Sequence, residues 1–430
     1  MIFRFCFVLV MLAATSSQAA NWGQWRGPNF NGSTDESNLP TQWSQTENVA
    51  WSIAMPGPSG STPVVWGDHV FVSSTDQQAN TLKAICLDRK SGKVLWQHDV
   101  AKGIKKDIRS TYAGPSPATD GKNVVFFYGN GKLITYDFKG QKKWSKNVGP
   151  FAFGWTFSTS PLLFDGKLYI QILQRDVSVR GAGVAGKNDS YLLALDPDTG
   201  TELWRKLRPS KAKAESLEAF TTPVPYVYHG RKQLLIAGGD ALTGHDPATG
   251  TELWRWGTWN PERVEHWRLV PSPIAGDGVV LACAPKRDPV YAITADGEGD
   301  LGDAGVLWTS RDNRPVSADV PTPAFYDGDF FVLSDVRRVI SRVEPKTGNI
   351  KWTVATPGRS KYEASPLAAD GKLYLINFDG QVSIIDVQDG KVLGTISMED
   401  DPQGTIRSSV IASQGQLFVR TDTTLFCIGK

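Results

Sequence analysis

Short apolar runs broken by polar turns recur along most of the chain, and residues 191–204, YLLALDPDTGTELW, show the pattern best. An apolar run from Tyr191 to Leu195 leads into Asp196; Thr199 and Gly200 make a turn; a second run ends on Trp204. Apolar residues on both sides of a polar turn, with a Gly free to take positive φ, predict a β-hairpin. A near copy, ALTGHDPATGTELW, ends on Trp254.

Two marks repeat with these hairpins. The first is Ser or Thr followed by Pro and an apolar run: Thr62, Ser116, Ser160, Thr222, Ser272, Thr322 and Ser365 each precede a Pro. Ser409-Val410 is a degenerate eighth copy. The second is a closing Trp, at Trp96, Trp144, Trp204, Trp254, Trp308 and Trp352, with Gly394 where the seventh unit should carry one. Four strands per unit at intervals of roughly 40–50 residues predict a β-propeller. The eighth unit runs out at Lys430 before its outer strand, whereas NVAWSIAM around Trp51 precedes the first unit and reads as a closing strand. The expected fold is therefore all-β: an eight-bladed propeller of four-stranded antiparallel blades over residues 20–430, its last blade closed by an N-terminal strand. Closure removes two exposed sheet edges. A Trp repeated at the end of each outer strand is expected to pack between blades.

Composition agrees with this and narrows the partners. The 430 residues include 15 Trp, 42 Gly and 26 Pro, which suits strands and tight turns. A formal net charge of +2 offers no long-range field for nucleic acid or an anionic membrane. Arg4, the apolar run from Phe5 to Ala14 and the small residues Ser17 and Ala19 read as a cleaved signal peptide, residues 1–19. The run is shorter than the ~20 residues of a spanning helix. The mature chain is expected to be exported, to the periplasm or beyond, with no transmembrane segment, and monomeric. Cys86, Cys283 and Cys427 lie in separate apolar runs, where a thiol acts as a small hydrophobe.

The repeat resembles that of the pyrroloquinoline-quinone-type repeat propellers. The resemblance rests on Asp-x-x-Thr-Gly-x-x-x-Trp, in DPDTGTELW (196–204) and DPATGTELW (246–254), with DRKSGKVLW (88–96) and EPKTGNIKW (344–352) as variants, and it spans nearly all of the mature chain. It implies the fold and, in that family, docking between blades. The family includes quinoprotein dehydrogenases and non-catalytic propellers of the outer-membrane assembly type. The enzymes' vicinal Cys pair is missing here, no metal ligands or catalytic base align, and there is no CxxCH for haem. The expected function is accordingly a non-catalytic scaffold that binds a protein or small ligand. The alternative is a divergent quinoprotein with pyrroloquinoline quinone and calcium in its funnel.

Ligands of propellers approach one mouth of the central channel. Counting back from each Ser/Thr-Pro mark, same-facing positions give Tyr112, Glu218, Arg268, Lys361, Glu363 and Arg407, with Trp155, His266 and Asp319 close by. Mixed charges and aromatic rings at one mouth make a candidate site. His266, between Glu265 and Trp267, is the member whose charge changes near neutral pH. A long loop from Leu173 to Ser190 adds Arg175 and Arg180. No catalytic or metal-ligating residue is assigned.

Overall fold

The computed structural model describes residues 21–105, 107–401 and 406–429. The expected signal peptide lies outside the described residues. Eight antiparallel sheets follow one another around an axis. The first comprises Val64–Trp66, His69–Asp76, Thr81–Asp88 and Val94–Lys102. The next six open with Ala118–Thr119, Leu162–Phe164, Val224–Tyr228, Ile274–Gly276, Ala324–Tyr326 and Leu367–Ala369, each directly after its Ser/Thr-Pro mark. Ile411–Ser413 opens the eighth sheet, and Val49–Ala54 completes it by pairing with Thr424–Ile428, Trp51 opposite Cys427. The last blade is thus built from both ends of the propeller. The fourth sheet gains a short fifth strand, Gly299–Asp300, parallel to its outer edge.

The Ser/Thr marks have a joint role that their spacing did not reveal. The backbone N–H of Thr62 donates to Ser116 Oγ at 2.9 Å, that of Ser116 to Ser160 Oγ at 3.0 Å, and that of Ser160 to Thr222 Oγ1 at 3.1 Å. Thr222 donates to Ser272 at 2.8 Å, Ser272 to Thr322 at 2.9 Å, and Thr322 to Ser365 at 3.0 Å. Ser365 donates to Ser409 and Ser409 back to Thr62, both at 3.1 Å. These bonds close a belt around the axis. A hydroxyl is needed at each position because a buried N–H of the preceding blade has to be satisfied there. The degenerate copy keeps the Ser and loses only the Pro. Ser409→Ala should leave the Ser365 N–H unpaired and cost about 1–2 kcal/mol, whereas Ser409→Thr should be near neutral. Urea midpoints of the two variants test this, and equal midpoints would deny the belt an energetic role.

Between blades, the closing Trp residues dock as the repeat implies. The indole N–H of Trp96, Trp144, Trp308 and Trp352 donates at 2.6–3.0 Å to a carbonyl in the following blade, at Phe138, Pro197, Pro345 and Val387. Each ring lies on the turn Gly of that blade: a Cβ at Gly140, Gly200, Gly348 or Gly390 would stand 2.6–2.9 Å from it. Trp51 does the same against Arg89 and Gly92, which bonds the N-terminal strand to the first blade. Trp254 departs from the expectation. It turns into its own blade, where its indole N–H donates to Gln233 Oε1 at 2.6 Å. Cys86, Cys283 and Cys427 are free and buried.

The segment ahead of the closing strand seals one end of the channel. Trp22 bridges to Val65 in blade one, and Gly23 O accepts from Thr119 N in blade two. Phe30 meets Phe164 of blade three edge-on at 5.8 Å. Asn31 and Gly32 accept from Phe325 and Ala368 in blades six and seven, and Glu36 accepts the N–H groups of Gln414 and Gly415 in blade eight. Buried Arg26 donates to the carbonyls of Pro323 and Pro366 at 2.8 and 3.3 Å. Burial pulls its pKa down to about 9. Gly32 makes room for it: a Cβ there would lie 1.8 Å from Arg26 Nη2. Thr119, Phe164, Gln414 and Gly415 lie at or just past the far ends of their first strands, whereas Pro323 and Pro366 immediately precede theirs, so Arg26 reaches inward to the level where the strands are entered.

Candidate functional site

At the open end, a chamber of about 220 Å³ lies on the axis, with belt hydroxyls of Ser116, Ser160, Thr222, Ser365 and Ser409 in its wall. Trp25, from the sealing segment, also lines it. Six of the nine sequence-derived candidates line the chamber: Trp155, Arg268, Asp319, Lys361, Glu363 and Arg407. Three do not. Tyr112 sits behind the wall, its N–H bonded to the carbonyls of Ile104 and Lys105. Glu218 is fully buried, and His266 is exposed. Arg175 is half-buried and reaches Glu218; Arg180 is exposed.

Arg109, Lys286 and Trp25 complete the chamber and were missed in the sequence reading. Arg109 belongs to a loop held by Asp107, whose Oδ1 accepts the N–H groups of Arg109 and Ser110 at 2.7 and 2.8 Å. Its Oδ2 accepts the N–H of Thr156 at 2.7 Å. Burial works against ionisation of Asp107, but these hydrogen bonds outweigh it and hold the carboxyl below its usual range. An Asp two residues before an Arg is a local turn signal without a repeat counterpart.

The electrostatics are lopsided. Five cations, Arg109, Arg268, Lys286, Lys361 and Arg407, face two carboxylates, Asp319 and Glu363. Arg109 and Arg268 both lie over the Trp155 ring, 5.9 and 5.7 Å from its centroid, within cation–π range. Glu363 is committed to Arg407 at 2.9 Å, with Arg109 at 3.8 Å. Asp319 Oδ1 accepts the N–H of Lys286 at 2.6 Å, and its own N–H donates to Asp335 at 3.0 Å. Burial pushes the Asp335 carboxyl up to about 6.

Calcium asks for six to eight converging oxygens. Of the two chamber carboxylates, Glu363 already serves Arg407 and Asp319 a backbone N–H, and among the described residues no three His, Cys, Asp or Glu side chains form a group that could hold a metal ion. This donor set does not fit the calcium of a calcium–quinone centre, so no oxidation step is derived from it. The arrangement offers donors and aromatic faces, which bind anions and flat rings.

Fold, belt and docking define an eight-bladed PQQ-type repeat propeller. The chain belongs to the family described as outer membrane protein assembly factor BamB, whose model matches residues 33–170, 85–301 and 290–426. The 1-butanol dehydrogenase (quinone) of Thauera butanivorans is 28% identical over 39% of this chain and 27% of its own length. Quinohemoprotein alcohol dehydrogenase ADH IIB of Pseudomonas putida is 24% identical over 73% of this chain and 36% of its own. The chain therefore spans about a third or less of the length of these dehydrogenases. Among solved structures, BamB from Moraxella catarrhalis superposes with a TM-score of 0.61 at 14% identity, covering 89% of this chain and 99% of that one. A europium-containing methanol dehydrogenase gives 0.65 at 13%, covering 92% and 89%. Both likenesses show the fold alone.

Proposed function

We propose that this chain is an exported, non-catalytic binding propeller whose ligand, a protein or a small molecule, engages the face that carries the axial chamber. The observation that supports the reading is the chamber: the N-terminal segment bonds across six blades at one end of the channel, and on its other side the chamber is lined by excess positive charge and two tryptophans. Among the described residues no helix is long and apolar enough to cross a membrane. The family match supports a scaffold, as in the assembly factor; the curated relatives are dehydrogenases, which supports the quinoprotein alternative.

One experiment separates the two. The mature chain is melted with pyrroloquinoline quinone in calcium or in EDTA, and alcohol-dependent dye reduction is followed alongside. A ligand that binds only the folded state adds RT ln(1 + [L]/Kd), about 2.7 kcal/mol at a hundredfold excess over Kd. The proposed reading expects no calcium-dependent rise in Tm and no dye reduction. If calcium-dependent dye reduction appears and Arg268→Ala abolishes it, the chain is a quinoprotein oxidoreductase and the binding-only reading fails.

A further inference from the structure

Resting on the chamber as the binding site, we infer that Glu218, with Arg175, is a positioning residue that sets the chamber wall formed by Trp155 and Arg268. Neither Glu218 nor Arg175 lines the chamber; they act from behind the wall.

Glu218 directly follows the 3-10 turn Ala214–Leu217, and the backbone around it is stitched on both sides. Ala219 N–H donates to Leu173 O at 3.1 Å, Leu269 N–H to Glu218 O at 3.1 Å, and Phe220 N–H to Leu269 O at 2.9 Å. Its carboxylate is thereby fixed between the long loop and the connection that carries Arg268. Glu218 Oε1 accepts the N–H of Gly154, the neighbour of Trp155, at 3.0 Å, and also the N–H of Arg175 Nε. A Cβ at Gly154 would sit 3.3 Å from that oxygen and 3.2 Å from Arg175 Nη2, so a glycine lets both groups reach the backbone. From Arg175 the chain of charges continues. Arg175 Nη2 lies 4.0 Å from Glu215 Oε2, Glu215 Oε1 accepts from Arg268 Nη1 at 2.6 Å, and Arg268 lies over Trp155. Alternating carboxylates and guanidinium groups therefore grip the wall at two points, the peptide before Trp155 and the cation on its ring.

The arrangement is costly for a purely structural contact. Glu218 is 0% exposed, and its Oε2 has no hydrogen-bond partner among the described residues. Apolar packing of similar volume would avoid that desolvation cost, and buried ion pairs are best attested where they fix one arrangement among several. Arg175 also ties the long loop to the same strip, since its N–H donates to Ala152 O at 3.1 Å.

The wall can be read without any ligand. Iodide quenching at constant ionic strength is measured on the mature chain, and the Trp155 signal is isolated by subtracting a Trp155→Phe partner made in each background. Glu218→Gln and Arg175→Met should each raise the Trp155 quenching constant about twofold, because the shell that orients the ring is loosened. Arg342→Met, which breaks the buried pair with Asp329 in the sixth blade, should lower stability and leave Trp155 unchanged. Burial raises the Glu218 pKa, and Arg175 and the Gly154 N–H oppose it while Glu215 adds to it. Wild-type Trp155 quenching should therefore rise as pH falls and Glu218 protonates, and Glu218→Gln should flatten that profile. Should one variant fail to fold, the other carries the test. Unchanged Trp155 quenching with an unchanged pH profile in a folded variant overturns the inference. Failure of the chamber to bind a ligand is a separate result, because iodide reports the wall itself.

Discussion

A chain lacking residues 45–55 is expected to lose its cooperative thermal transition, not a few degrees of it. The deleted stretch contains Val49–Ala54, the outer strand of the last blade, together with buried Trp51, which is bonded to Arg89 O at 2.6 Å. Its geometry makes the loss larger than that of one strand. At about 3.3 Å per residue, the strand carries the chain roughly 20 Å from the sealed end of the channel to the open end. A direct bond from Ser44 to Pro56 spans only ~3.8 Å between Cα atoms. The shortened chain can seat either its N-terminal segment or its first blade, not both, so the deletion also extracts the segment from Trp22 to Glu36 with its contacts to six blades. The last blade is then left with an open edge. Thermal scans and native-state hydrogen exchange check this, with loss of protection expected in blades one and eight first. A synthetic peptide of residues 21–55 added to a chain starting at Pro56 should restore the transition. A deletion variant that melts like the intact chain would show that the ring holds without closure.

Blade count, closure and docking were legible because each is written as a local repeat. Every Ser/Thr-Pro mark stands directly before a first strand, and the Asp and Gly of each turn shape a surface on which the preceding Trp lies. The belt is written in the same residues, but its meaning is circular: each hydroxyl serves an N–H some 43–62 residues away, or 347 at the closing bond. Spacing shows the hydroxyls and not their partners. The site was half legible for a related reason. Counting back from the marks found Arg268, Lys361, Glu363 and Arg407, which enter the chamber in register with the blades. Tyr112 and Glu218 share that register, yet the surrounding loops fold over them. Arg109, Lys286 and Trp25 come from a loop held by Asp107, a hairpin tip and the sealing segment, and no repeat encodes their positions.

Trp254→Ala should cost about 4 kcal/mol, against about 2 kcal/mol for Trp204→Ala, although the two Trp residues close nearly identical sequences. Trp204 is half-buried on Gly250, its indole N–H 3.3 Å from Pro247 O. Trp254 is 0% exposed and hydrogen-bonded to Gln233. The cause is one methyl group on the strand opposite. Trp204 pairs across the ladder with Ala194, and Trp254 with Gly244. The other closing Trp residues face Cys427, Cys86, Thr135, Ala292 and Arg342, all of which carry a Cβ. At Gly244 a Cβ would stand 2.2 Å from Trp254 Nε1, so only glycine lets the ring collapse onto its own sheet. The fifth blade makes the change necessary. Its connection to the outer strand is ADGEGDLGDAG, without the Thr-Gly turn that receives a Trp elsewhere, and Gly299–Asp300 pairs along the Trp254 strand instead. Gly244→Ala should therefore destabilise the protein by a few kcal/mol, because the expelled indole finds no docking turn and leaves Gln233 Oε1 buried without its partner. Urea midpoints of the three variants give the order: Trp254→Ala and Gly244→Ala well below Trp204→Ala. If Trp204→Ala proved the costlier tryptophan truncation, docking between blades would outweigh burial within one, and the inward turn of Trp254 would carry little of the ring's stability.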